Sequence, residues 1–229
     1  MKTFVIGDIH GSYKAMVQCF DRSSFDYNND RLVVLGDICD GFAQVDRCID
    51  ELIKIKHCHC IVGNHDQWAL KWAQTGWKET VWLSQGGRAT IESYGGHKMP
   101  QAHIEFLQKA TFWFESEGRI YMHGGFDPLK PLSAQDNDEF IWNRSLIDQA
   151  LKVNAINPDY QFSDFKEIFV GHTPTIKFDS IIPIKLCNVW DMDTAAGWGG
   201  KLSIMDVNTK QYWQSDLTSE LYPDVLPRR

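Results

Sequence analysis

Eight side chains could do chemistry together: Asp8 and His10, Asp37 and Asp40, Asn64 and His65, His123 and His172. The first six stand in Gly7-Asp8-Ile9-His10-Gly11, Gly36-Asp37-Ile38-Cys39-Asp40 and Gly63-Asn64-His65-Asp66, each just after a short apolar run. His123 precedes Gly124-Gly125, and His172 lies in Val170-Gly171-His172-Thr173. Alone, an Asp after Gly is a turn former or a helix N-cap, and an isolated His packs in a core or on a surface. Together they are a donor set. Carboxylate, imidazole and amide oxygen suit divalent ions such as Mn²⁺, Fe²⁺ or Zn²⁺. The ligands are too many for one ion, and two ions sharing Asp37 would use them. Four of the eight histidines fall in these motifs, which weighs against the separate readings.

Such residues need a frame. Over the first seventy positions a short apolar run, a glycine turn and an amphipathic stretch follow one another three times. The runs at 2–6, 32–35 and 58–62 read as strands, followed by helices from about 12 to 20, through Val45, Ile49, Leu52 and Ile53, and around Trp68 and Trp72. Alternation of this kind implies βαβ units and a parallel sheet, with ligands at the carboxyl ends of the strands. The second half reads as a hairpin at 111–115 and 119–123, one helix over 138–152, and short strands at 168–170, 181–184, 186–189, 202–206 and 211–214. One mixed α/β domain over 1–229 is expected, with 222–229 an extended tail.

Composition bounds the rest. The 229 residues are 43% hydrophobic and 23% charged, ordinary values for a globular chain. A net charge of −7 argues against a broadly basic nucleic-acid surface. There is no membrane-length apolar run and no leader-like N-terminus, so a cytoplasmic location is expected. Six cysteines show no secreted disulfide framework. His57-Cys58-His59-Cys60 has the wrong spacing for zinc, and reads as a strand with Cys58 and Cys60 on one face and His57 and His59 on the other. Trp68 and Trp72 suit a packed aromatic helix face; the sharper alternative makes Trp77 and Trp82 an aromatic lip at the cleft.

The glycine motifs, with Trp82-Leu83, Gly86-Gly87, Thr90, Trp142-Asn143-Arg144 and Asp193-Thr194…Gly199-Gly200-Lys201-Leu202, resemble the phosphoprotein phosphatase family of calcineurin-like metallophosphoesterases, in its bacterial serine/threonine branch. The resemblance implies a sandwich of two mixed β-sheets flanked by helices. It implies two divalent ions, Mn²⁺ with Fe or Zn as alternatives. Asp8, His10 and Asp37 would hold the first, and Asp37, Asn64, His123 and His172 the second. A hydroxide between the ions would attack in line. His65 would protonate the leaving oxygen, Asp40 would orient its ring, and Arg144 would grip phosphate. The expected substrate is a phosphorylated protein or small phosphate ester.

Two departures matter. The family's second motif normally continues Asp-Arg-Gly, whereas Gly41-Phe42 follows Asp40 here, so one phosphate-binding arginine is missing. Restoring it by Gly41→Arg is expected to lower KM for a small monoester. The last motif, Gly171-His172-Thr173-Pro174, lacks the second histidine usual in phosphodiesterases of the superfamily. Symmetrical dinucleoside tetraphosphate hydrolases with a similar core typically keep the second motif's arginine and lose the preceding aspartate, the opposite of Asp40-Gly41, so a phosphomonoesterase leads. A symmetrical dinucleoside tetraphosphate hydrolase, a phosphodiesterase and a non-catalytic phosphate-binding scaffold are the alternatives.

Overall fold

The computed structural model describes residues 1–225. Among the described residues ten strands form two five-stranded sheets. The first holds β1 (Thr3–Ile6), β2 (Arg31–Val34), β3 (His57–Cys60), β9 (Ser203–Asp206) and β10 (Tyr212–Gln214) in the order β10-β9-β1-β2-β3. The second holds β4 (Trp113–Ser116), β5 (Arg119–Met122), β6 (Glu167–Val170), β7 (Ile184–Leu186) and β8 (Val189–Asp191) in the order β4-β5-β6-β8-β7. Both are mixed. β1, β2 and β3 run parallel while β9 pairs antiparallel with β1; β5, β6 and β8 run parallel between antiparallel β4 and β7.

Side-chain alternation sorts the core into three layers. Val5, Val33 and Leu35 meet Tyr121, Phe169 and Met205 between the sheets. The residues between them, Phe4, Ile6, Leu32 and Val34, face outward onto α1 (Tyr13–Ser23) and α2 (Val45–Ile53). On the far side Ile120, Met122, Ile168 and Val170 pack on Leu146, Ile147 and Ala150 of the helix Ser145–Asn154. Each fully buried apolar side chain of this kind contributes about 1.5–3 kcal/mol. No helix of the described residues is long and apolar enough to cross a membrane.

The sandwich flanked by helices is the architecture that the sequence implied. Several local readings are corrected. The helix over 138–152 is two, Asn137–Trp142 and Ser145–Asn154. Asn143 leaves the helical region at ψ 122°, and its side-chain oxygen accepts from Leu146 N–H, which starts the second helix. Residues 186–189 are not one strand but the turn of the β7–β8 hairpin, with Cys187 at φ 56°. Strand geometry is absent at 181–183 and begins at Ile184. Tyr222 is no tail residue: it is buried, and its ring stacks on Phe42 at 4.4 Å. The remainder of the expected tail, 226–229, lies outside the described residues.

β3 carries the His-Cys-His-Cys run as a strand. Cys58 and Cys60 pack toward the helix layer with their sulfurs 3.7 Å apart, and His59 stacks on Phe114.

Candidate dinuclear metal centre

The carboxyl ends of β1, β2, β3, β5, β6 and β8 point to one edge of the sandwich, where the turns that follow them meet. The turn after β1 brings Asp8 and His10, and the turn after β2 brings Asp37 and Asp40. Asn64 and His65 open α3 (Asn64–Thr75) after β3; His123 follows β5 and His172 follows β6. All eight are buried. Four of them are non-glycine residues in the left-handed backbone region: His10 at φ 49°, Asp37 at 48°, Asp40 at 71° and His172 at 66°. Such conformations cost roughly 1–3 kcal/mol each, and survive where surrounding structure imposes them.

Two donor clusters share Asp37. Ligand atoms of Asp8, His10 and Asp37 lie within 4.8 Å of one another, as do those of Asp37, His123 and His172. Asp37 Oδ2 is 3.6 Å from His10 Nε2 and 3.4 Å from His123 Nε2. Asn64 Oδ1 is 3.1 Å from His123 Nε2 and joins the second cluster. The crowding requires bare backbone nearby. A Cβ on Gly63 would fall 2.1 Å from Asp37 Oδ1, and one on Gly171 2.1 Å from Asp8 Oδ1.

The donor set fits divalent cations. His10 Nδ1 lies 3.1 Å from Cys39 O, and His123 Nδ1 lies 2.8 Å from Leu35 O. Donation to these carbonyls leaves both Nε2 lone pairs aimed at the clusters, the outer-shell arrangement expected of metal-ligating histidines. His123 Nε2 then faces Asn64 Oδ1, Asp37 Oδ2 and, at 3.1 Å, His172 Nδ1, a set of donor atoms that a cation between them would satisfy. His172 Nε2 is buried without a hydrogen-bond partner. Burial, then the neighbouring His123 and Arg144, push the His172 imidazole down to about 2, so it stands neutral. Burial opposes ionisation of Asp37, yet His123, His65 and His10 hold its carboxyl well below the usual range. Burial, with Asp193 and Asp37 close by, holds Asp8 well above it, a penalty that a bound cation would reverse.

His65 and Asp40 flank the clusters. His65 Nδ1 is 2.6 Å from Asp40 Oδ2, and its Nε2 is 4.0 Å from Asp37 Oδ2. The sequence did not reveal what holds Asp40. Trp82 Nε1 donates to both of its oxygens, at 2.9 and 3.1 Å, and Thr90 Oγ1 donates to Oδ1 at 2.6 Å. Trp82 is fully buried, with Trp77 stacked on it at 5.8 Å, so neither forms a lip. The sequence assigned Asp66 no part in the site. Its Oδ1 accepts from Ile38 and Cys39 N–H, and its Oδ2 from Gly63 N–H, tying two of the ligand turns together. Burial pushes its carboxyl up to about 6.

Above the clusters lies a cleft of about 600 Å³ including its mouth. Arg144, set at the helix break, lines it and is exposed. The half-exposed indoles there are Trp142 and Trp198, at 37% and 36%. Position 41 is closed to any side chain: Gly41 has φ 83°, and a Cβ would lie 2.8 Å from His10 O and 2.9 Å from His10 Cβ. This geometry argues against the expectation that an arginine there would improve binding, because its Cβ would displace the His10 turn.

Two nested donor clusters at the edge of such a sandwich define a metallophosphoesterase. The family model for calcineurin-like phosphoesterases matches residues 1–183, and the chain belongs to that family. It is 25% identical over 209 residues to serine/threonine-protein phosphatase 1 of Salmonella typhimurium, covering 88% of this chain and 89% of the relative. It is 26% identical over 133 residues to the symmetrical bis(5'-nucleosyl)-tetraphosphatase of Pseudomonas putida, covering 56% of this chain and 43% of the relative. Among solved structures, a protein provisionally described as a diadenosine tetraphosphatase superposes with a TM-score of 0.70 at 17% identity, covering 93% of this chain and 92% of its own. A metallophosphoesterase from Sphaerobacter thermophilus gives 0.59 at 14%, covering 98% and 94%.

Proposed function

We propose that the chain hydrolyses the phosphoric anhydride of a nucleotide polyphosphate, with symmetrical cleavage of a dinucleoside tetraphosphate as its particular activity. The observation that carries this reading is the pair of half-exposed indoles, Trp142 and Trp198, on the walls of the cleft above the clusters. A substrate with a base at each end of a phosphate chain can use both, at about 1–3 kcal/mol per stacked base. A phosphoserine side chain uses neither. Similarity to the symmetrical tetraphosphatase of P. putida supports the same reading.

Asp8, His10 and Asp37 would hold one divalent ion and Asp37, Asn64, His123 and His172 the other. The ions, Mn²⁺ on the donor set with Fe and Zn as alternatives, would supply Lewis acidity and a water ionised near neutral pH. Arg144 offers two parallel N–H donors to the phosphoryl oxygens. His65 holds a proton for the leaving oxygen, with its ring fixed through Nδ1 by Asp40.

The same dyad favours a second reading, a phosphoserine or phosphothreonine phosphatase. An alkoxide leaving group needs a proton far more than a phosphate does, and the long match to serine/threonine-protein phosphatase 1 points the same way. Mn²⁺-dependent turnover separates the two, with Asp37→Asn as the blank. Diadenosine tetraphosphate is expected to exceed a phosphothreonine peptide and p-nitrophenyl phosphate in kcat/KM, with ADP as the nucleotide product. A peptide turned over better than the tetraphosphate would replace the first reading with the second.

A further inference from the structure

Arg144 and Lys177 are the cationic side chains that line the cleft. Neither forms an ion pair or a side-chain hydrogen bond among the described residues, and both are exposed. Arg144 has a role in holding the scissile phosphate. Lys177 has none so far.

Lys177 belongs to the turn Thr175–Phe178, five positions after His172. That turn is pinned at its start. Thr175 is fully buried, its N–H donates to Asp193 O at 2.8 Å, and its hydroxyl donates to Ser180 O at 3.0 Å. The anchor fixes the backbone from which Lys177 extends, and links this wall of the cleft to the Asp193–Trp198 wall. The floor beneath is acidic, with Asp8, Asp37 and Asp193 facing the cavity. Two divalent ions would offset that charge, which leaves Arg144 and Lys177 as surplus positive charge for an anionic ligand. One phosphoryl group is served by the ions and Arg144. A second cation on another wall suits a ligand whose charge extends beyond that group. An ammonium suits this task, since it binds phosphate as a point charge without requiring one fixed orientation.

We infer that Lys177 forms a second phosphate subsite, which takes the phosphoryl group next to the one attacked and so selects polyphosphates over monoesters. The inference rests on the nucleotide polyphosphate reading but is tested apart from it. AMP and ADP differ by one phosphate with the base held constant. Their Kd values are measured by titration calorimetry on Mn²⁺-loaded protein freed of unbound metal, for wild type, Lys177→Met and Lys177→Arg. Wild type is expected to bind ADP roughly tenfold or more tightly than AMP, the scale of one charge-assisted contact. Lys177→Met is expected to bring the ratio near unity, and Lys177→Arg to restore most of it. The subsite is overturned if wild type does not prefer ADP, if the ratio survives Lys177→Met, or if the arginine variant is no better than the methionine one. Turnover is scored independently. A chain that cleaves only phosphopeptide while its ADP preference depends on Lys177 loses the nucleotide reading and keeps the subsite. One that cleaves the tetraphosphate with an unchanged ratio keeps the reading and loses the subsite.

Discussion

Asp40 Oδ2 sits 2.6 Å from His65 Nδ1, and the same carboxylate is held by Trp82 and Thr90, each of which donates to it. Thr90 Oγ1 also accepts from Asp40 N–H at 2.9 Å, so one hydroxyl fixes both the backbone and the side chain of this residue. The carboxylate is fully buried with its acceptor sites occupied, which leaves the imidazole little freedom to turn.

A leaving group that needs its proton should expose this arrangement. Asp40→Asn is expected to lower kcat by roughly 10²–10⁴ for a poor leaving group such as phenyl phosphate, the scale of general acid catalysis. The loss should be smaller for p-nitrophenyl phosphate. Trp82→Phe, which removes one donor and keeps most of the packing, should fall between wild type and Asp40→Asn. Equal losses for both esters would show that the dyad does not deliver the proton.

Gly41 is expected to tolerate no side chain. Gly41→Ala and Gly41→Arg should both destabilise the protein, by about 1–3 kcal/mol from backbone strain alone, and should weaken Mn²⁺ binding through the displaced His10 turn. Thermal melts with and without Mn²⁺ measure both effects. A Gly41→Arg protein that melts like wild type and binds monoester more tightly would contradict the geometry.

Asp37 is the residue the two clusters share. Asp37→Asn is therefore expected to reduce bound metal from two ions per chain to one or none, whereas Asn64→Ala, at the edge of one cluster, should spare the other ion. Elemental analysis after gel filtration gives the stoichiometry. Equal loss from both variants would show that the clusters do not load separately.

The opposite end of the sandwich carries a clip that responds to pH. Glu167 on β6 accepts from Arg119 on β5 at 2.7 Å, and Lys210, in the β9–β10 turn of the other sheet, also donates to it. Burial would raise the Glu167 pKa, but Lys210 and Arg119 lower it below the ordinary glutamate value. A carboxyl depressed in the folded state contributes stability above its unfolded pKa of about 4.3, and loses it as pH falls through the folded value. Glu167 and Arg119 are both buried, so Glu167→Gln should cost about 1.5–3 kcal/mol at neutral pH, the scale of hydrogen bonds to a charged group, or roughly 3–12 °C in Tm. The gap to wild type should close as melts are taken below pH 4. A gap that is constant across that range would assign the contact no electrostatic part.

The candidate ligands were legible because each lies within a residue or two of a glycine, at the end of an apolar run, where local sequence fixes both the turn and the strand. The parallel β1–β2–β3 unit was legible from the same alternation, whereas the two-sheet sandwich was implied only by the family resemblance. What escaped depends on distant contacts. Trp82 meets Asp40 across 42 positions, so its part in the site could not be read from spacing. Packing was the leading reading of these tryptophans, with a lip at the cleft as the alternative. Apolar periodicity runs on through Asn143 and Arg144, and hid the break that a side-chain hydrogen bond to Leu146 imposes. At Gly41 the motif showed a missing arginine, but the left-handed backbone that excludes one belongs to the fold.

β1 lies between β2, which follows it within 30 residues, and β9, which comes some 200 residues later. During synthesis at roughly 5–20 residues per second, β1 therefore spends about 10–40 s with one edge open. Over that interval the nascent chain already carries Asp8, His10 and Asp37, but an unpaired edge is a template for association with other chains. Lys14 N–H reaches Tyr222 Oη across 208 positions, so the last helical turn seals what the first began. Folding of the first sheet is thus completed from both directions, and chains stopped short of β9 would carry every candidate metal ligand and still expose a sticky edge.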